Sequence, residues 1–232
     1  LLVTLVAILS AAIETLAFTP TGRGTHSSIY HGSSPLFSSS AEVQTNDAIN
    51  GNIPSKDKKR MAVLLCPAQF CVPLDYVDLL ASIQSSHPNV DVVATRVAPL
   101  PRTEWIKVAK QLPTRDFIDA NLNVGITLDW YFDAIENALT ELFAEGGDDV
   151  EVCLVGHSIG GWVARAYLGG LSGSSTAVYR LAKSRITSLV TLGTPHTSPE
   201  TALVDQTRGL LREIASSPDC SSEALSERGI KV

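Results

Sequence analysis

The chain lacks the marks of several large functional classes. Its 18 Lys and Arg do not outnumber its 24 Asp and Glu, leaving a formal net charge of −6. That balance offers no electrostatic reason to expect nucleic acid or an anionic membrane surface as a partner. Cysteine is scarce: Cys66, Cys71, Cys153 and Cys220 are the four present, and none forms a C-x-x-C pair. Neither a metal finger nor a disulfide framework is expected from that spacing, and no residue pattern calls for a cofactor. Cys66 and Cys153 sit inside apolar runs and read as small core residues, whereas Cys71 and Cys220 lie in less regular stretches. No internal repeat is visible. What remains is 44% hydrophobic and 18% charged, a globular composition long enough for one sizeable core.

The first sixty residues have a different character. LLVTLVAIL opens an apolar run that reaches Ile13, too short for a membrane-spanning helix but suited to a signal-peptide core. Thr15-Leu16-Ala17 allows cleavage before Phe18, so residues 1–17 read as a signal peptide and no transmembrane span is expected in the mature form. From Thr15 to Ala41 there is no Asp or Glu, while Ser is abundant and Arg23 adds positive charge. Acid-poor, serine-rich sequence is transit-peptide composition, assigning residues 18–58 to a transit-like segment. The pair resembles the bipartite presequences of algae with complex plastids and implies a plastid location, plain secretion being the alternative. Residues 59–232 are expected to hold the folded domain.

Within it, strand-like and helical patterns alternate. Met61–Cys66 is a continuous apolar run stopped by Pro67, as expected of a strand buried on both faces. A helix is expected over 74–86, a second strand over 91–97, and a long proline-bearing connection over 98–126. Helical spacing of Leu128, Tyr131, Phe132, Ile135, Leu139 and Leu142 predicts a helix from about Thr127 to Ala144. Strands over 150–155 and 186–192, a helix over 158–168 and a last helix over 203–215 complete the pattern. Such alternation implies a parallel sheet with helices on both faces.

The third strand runs into Gly156-His157-Ser158-Ile159-Gly160, which fits G-x-S-x-G. A serine between strand and helix must turn the chain sharply, and glycines at both flanks leave room where side chains would collide. That geometry lifts the Ser158 hydroxyl above the carboxyl edge of the sheet, at a helix N-terminus that favours negative charge. A simple serine cap in a glycine-rich turn does not explain both glycines. Ser158 is therefore the candidate nucleophile, with His157 and Trp162 as structural neighbours. An oxyanion hole needs two backbone N–H groups. Ile159 supplies one, and Gln69, in the loop after the first strand, is the candidate for the second. Trp105, Phe117 and Ile118 of the long connection either line an acyl pocket or pack beneath the loop.

Taken together, VLLCPAQF (63–70), LDWY (128–131), GHSIGGWVAR (156–165), VTLGTPH (190–196) and VDQTRGLL (204–211) resemble the α/β-hydrolase superfamily, near its lipase and esterase-like members and most like plant and algal plastid α/β-hydrolases. The resemblance covers about Met61 to Val232. It implies an α/β-hydrolase fold, an acyl-enzyme on Ser158, and a small-molecule ester or lipid as substrate. One departure is Ala68, where the family commonly has glycine after the proline of the oxyanion loop; alanine fits there if φ stays negative.

The chain is short of the remaining catalytic partners. This fold orders its triad Ser, acid, His. After Ser158 the one histidine is His196, directly behind the fourth strand in a segment read as structural. Asp205 is the earliest acid after Glu200, and a solvated or helix-N-terminal role is expected for it. Either the protein is catalytically inert or the acid and histidine lie beyond Val232. Ile230-Lys231-Val232 reads as the opening of another strand and the chain does not begin with Met, favouring the second reading. Losing a triad histidine costs on the order of 10⁶ in kcat, so residues 1–232 alone are expected to be nearly inactive. Besides hydrolysis, an acyltransferase using the same serine and a non-catalytic binding protein remain as alternatives.

Overall fold

Continuous apolar runs in this chain become the central strands of a parallel sheet. The computed structural model describes residues 59–85, 90–147, 149–198 and 205–232. The signal and transit-like readings of residues 1–58 lie outside the described residues. Strands β1 (Lys59–Cys66), β2 (Val90–Val97), β3 (Glu151–His157) and β4 (Ile186–Leu192) pair in the order β2-β1-β3-β4, all parallel. In the middle of the sheet Leu65 lies level with Val97 and Val155, and Val155 with Val190. Ala62 to Cys66 and Val152 to Val155 are buried on both faces, which explains why they carry no polar alternation.

Helices cover the two faces unequally. α1 (Val77–Ser85) follows a 3-10 turn at Pro73–Tyr76 and packs on the face of Val63, Leu65, Val97, Cys153 and Val155. It buries no residue fully; Leu80 and Ile83 are half-buried and Val77 is exposed, as is Leu74 in the 3-10 turn before it. The opposite face carries α2 (Asp129–Gly146), α3 (Ile159–Leu168) and α4 (Ala177–Arg185), which enclose the main core with Leu64, Leu154 and Leu189. α5 (Leu210–Ser216) and α6 (Ser222–Glu227) close that side. This is the layered arrangement of an α/β-hydrolase fold. On the thinner side Val190 and Leu192 of β4 are 44% and 37% exposed. At the outer edge of β4, Lys231 forms a parallel bridge with Ser188.

Three expectations are corrected. Thr127 does not cap the long helix: it ends a single turn, Val124–Thr127, capped by the Asn123 side chain, which accepts from Ile126 N–H at 3.0 Å. α2 starts at Asp129 instead, its carboxylate accepting from Trp130 N–H at 2.6 Å. The last expected helix begins at Leu210 rather than 203, because Asp205 holds residues 205–209 in a turn that ends on Gly209 at φ +96°. α4 was not expected at all. Tyr179 and Ala182 are its only fully buried residues, so its apolar stripe is faint; the signal present was Thr176, whose side chain accepts from Tyr179 N–H at 3.0 Å.

Three of the four cysteines are buried, including Cys220, and all four are free. Burial alone pushes the Cys66 thiol up to about 12, so it is inert as a nucleophile. No described helix is long and apolar enough to cross a membrane.

The unequal cover predicts unequal mutational costs. Leu139→Ala, from the sealed face, should lose about 2–5 kcal/mol in urea unfolding. Leu79→Ala, 36% exposed on α1, should stay within about 0.5 kcal/mol. Equal losses would contradict this account of the two faces.

Candidate functional site

β3 ends at His157 and α3 begins at Ile159, so one residue makes the turn between them. That residue, Ser158, has φ +52° and ψ −120°. A non-glycine residue held there costs of order 1–3 kcal/mol and persists only where the surroundings enforce it. Here backbone crowding enforces it. A Cβ at Gly156 would fall under 3.0 Å from the Gly161 backbone, and one at Gly160 under 3.0 Å from the Cys66 and Pro67 carbonyls. A Cβ at Gly161 would collide with the Thr194 side chain from the loop behind β4. From the other side, Ser158 N–H donates to Leu192 O at 2.8 Å and Gly161 N–H to Ser158 O at 3.1 Å. β1, β3 and β4 thus jointly fix the turn, and the sequence reading had missed Thr194.

The loop behind β1 lies alongside, because Cys66 is level with Gly156 in the sheet. Its Ala68 keeps a non-positive φ; the left-handed position falls on Phe70, at φ +63°. Cys71 N–H donates to Ala68 O at 3.1 Å and closes the turn. The Tyr131 hydroxyl donates to Pro67 O, and Arg102 Nε donates to Phe70 O at 2.9 Å. Gln69 is exposed at the tip. The backbone N–H groups of Gln69 and Ile159 have no hydrogen-bond acceptor among the described residues. The Ser158 hydroxyl has no partner there either.

The two histidines near the turn face elsewhere. His157 Nδ1 lies 2.9 Å from the Tyr76 hydroxyl, with the rings edge to face at 5.8 Å. That is the structural role expected of it. His196 Nδ1 lies 3.0 Å from Arg165 Nη1, and its Nε2 lies 3.3 Å from Thr191 Oγ1. Arginine can only donate, so Nδ1 is the acceptor and the proton sits on Nε2, directed at Thr191. Partial burial, and then Arg165, hold its pKa below the ordinary value. Both nitrogens are occupied away from Ser158.

Asp205 differs from expectation. It is not solvated: it is 1% exposed. Its carboxylate accepts from Thr207 N–H at 2.8 Å, Thr207 Oγ1 at 2.7 Å and Gly209 N–H at 2.8 Å, and so builds the turn ahead of α5. Burial would raise its pKa, but the hydrogen bonds from Thr207, Ser198 and Gly209 outweigh it and hold the carboxyl below the usual range. Glu200 lies outside the described residues. Among the described residues no group of three or more His, Cys, Asp or Glu is placed to hold a metal ion.

The three apolar residues of the long connection do not form one pocket. Trp105 is buried between Phe70 and Trp130, with ring centroids 5.5 and 4.9 Å away. Phe117 lies under the Arg208 guanidinium at 4.9 Å, and Ile118 is exposed. A cavity of about 190 Å³ between the start of this connection and α2 is lined by Leu100, Trp130 and Asp133, away from Ser158, Ile159 and Gln69.

Residues 124–225, less than half of the chain, match the family model of the PGAP1-like alpha/beta domain. That match supports a place in the α/β-hydrolase superfamily. No curated protein matches. Among solved structures, an acetylxylan esterase is similar over 62% of this chain and 68% of its own, at 14% identity and a TM-score of 0.39.

Two outcomes are expected. Ser158→Gly should stabilise the fold by about 1–2 kcal/mol relative to Ser158→Ala in urea unfolding, since only glycine relieves the positive φ; equal stabilities would mean that the turn is not strained. Asp205→Asn should cost about 1–3 kcal/mol at pH 7 by leaving buried donors poorly matched. Because the folded carboxyl titrates below its unfolded value of about 4, its contribution is complete above that value and is lost as pH falls through the folded one. The gap between wild type and variant should therefore narrow in unfolding measured at pH 3, and a gap that stays constant would exclude the carboxylate charge as its origin.

Proposed function

We propose that the protein is a serine hydrolase of carboxylic esters, lipid-like ones by its lipase-like motifs, working through an acyl-enzyme on Ser158. The observation that carries this reading is the Ser158 backbone, kept at φ +52° by three glycine contacts and two hydrogen bonds. A turn that only capped a helix would not need that conformation. Ser158 Oγ attacks the ester carbonyl, and the N–H groups of Ile159 and Gln69 receive the developing oxyanion; both are free of other acceptors among the described residues. Each such donor is worth about 3–4 kcal/mol in the transition state.

No described histidine or acid is placed to serve as base, so this reading requires both from outside the described residues. Lys231 pairs with the outer edge of β4, its N–H donating to Thr187 O at 3.0 Å and its carbonyl accepting from Leu189 N–H at 2.8 Å, which supports reading it as part of a further parallel strand. If no such histidine exists, a non-catalytic binding protein becomes the better reading. Transfer of the acyl group to an alcohol instead of water uses the same serine, and product ratios with and without an acceptor alcohol separate the two. Residues 1–58 would direct the protein to a plastid; a fluorescent fusion of this segment that remains in the secretory pathway would refute that part.

The full-length protein should be labelled by a fluorophosphonate probe, and Ser158→Ala should abolish labelling. Labelling that survives the substitution would sink the assignment of Ser158.

A further inference from the structure

We propose that Tyr76 is a positioning residue that locks the oxyanion loop to the nucleophile turn through a single hydroxyl. The inference rests on the reading of Ser158 and Gln69 given above. Ala68 N–H lies 2.8 Å from the Tyr76 oxygen and can only donate to it. The hydroxyl also meets His157 Nδ1, 2.9 Å away, and hydrogen-bonds the Cys71 side chain, so its own hydrogen goes to one of these two. In this relay the one hydroxyl thus ties Ala68 N–H of the loop to the His157 ring of the turn, with Ala68 N–H as donor to the tyrosine oxygen. Tyr76 is 5% exposed and Ala68 8%, so breaking the relay strands buried polar groups rather than returning them to water. Burial above all keeps the phenol's pKa well above its ordinary value, so the donor stays protonated.

The geometry shows why this bears on the site. The peptide between Ala68 and Gln69 is trans and planar, so its C=O and its N–H point in opposite directions. Its carbonyl is taken by Cys71 N–H at 3.1 Å, which turns the Gln69 N–H away from that bond. The preceding peptide is held by Tyr76. The two planes flanking Ala68 are thus both tied, and the Gln69 N–H direction follows from them. At its other end the same hydroxyl holds the ring of His157, the residue before Ser158. Sheet register aligns Cys66 with Gly156, and Tyr131 and Arg102 hold the Pro67 and Phe70 carbonyls of the loop. Tyr76 holds the Ala68 N–H between them and ties it to the nucleophile turn. It comes from the turn Pro73–Tyr76, itself set by Asp75, whose carboxylate accepts from Val72 N–H at 2.8 Å.

Tyr76→Phe in the full-length protein removes the hydroxyl and keeps the ring. Amide exchange at Ala68 and Gln69 should accelerate at least tenfold, and the His157 Nδ1 ¹⁵N resonance should lose its hydrogen-bonded shift. Fluorophosphonate labelling should show a maximal rate at least tenfold lower at an unchanged half-saturating probe concentration. Tyr179→Phe, which removes a buried hydroxyl donating to Tyr167 O at 3.4 Å, should change neither. Unchanged exchange and ¹⁵N shift in Tyr76→Phe overturn the relay. Faster exchange with undiminished labelling overturns its positioning role, as does an equal labelling loss in Tyr179→Phe. If wild-type protein is not labelled at all, the hydrolase reading fails, and the positioning role fails with it; exchange and ¹⁵N shift then report only whether the Ala68–Tyr76–His157 relay exists.

Discussion

Everything at the site depends on how closely three stretches of backbone approach one another. β3 delivers the chain to Ser158, α3 carries it away, and the end of β1 lies beneath the first turn of α3. The separations at Gly156, Gly160 and Gly161 exclude a β-carbon at each. With side chains excluded, the chain can reverse within one residue, and Ser158 absorbs the reversal in a conformation that L-residues avoid. The Leu192 carbonyl and the Thr194 side chain complete the enclosure from β4. Strain at one residue is thereby balanced by packing over three strands.

The same crowding organises what surrounds the serine. Because β1 and β3 are neighbours with Cys66 level with Gly156, the loop behind β1 must open next to the turn. Tyrosines from two different elements then hold it, Tyr131 from the sealed face and Tyr76 from the thin one. The faces contribute differently. The sealed side, with α2, α3 and α4, supplies most of the buried apolar area and hence most of the stabilisation. The other side, covered by α1, supplies little burial but does supply the hydroxyl that reaches both Ala68 and His157.

Legibility followed the strength of local signals. β1 and β3 were readable because double burial makes them nearly uninterrupted apolar runs, and α2 because its buried positions recur with the helical period. α4 was hidden because it buries only Tyr179 and Ala182. The start of α5 was misplaced because Gln206, Thr207 and Arg208 look helical, whereas a buried Asp205 carboxylate bends them into a turn. At the site, Ser158 and the flanking glycines were visible in one short motif. Tyr76 and Thr194 were not, since Tyr76 reaches His157 across 81 residues of chain and Thr194 meets Gly161 from the loop behind another strand.

The amino-acid sequence by itself determined the alternation of strand and helix, the parallel sheet that follows, and the serine that must turn sharply between β3 and α3. Those are properties of neighbouring residues: apolar runs, helical spacing, and glycine where a side chain will not fit. Tertiary structure alone decided where the polar groups point. It buried Asp205 in a turn, occupied both nitrogens of His196, placed the left-handed backbone of the loop behind β1 at Phe70, and joined Ala68 to His157 through Tyr76. A hydrogen bond needs a partner within about 3 Å, and which residue arrives there is settled only when distant segments pack.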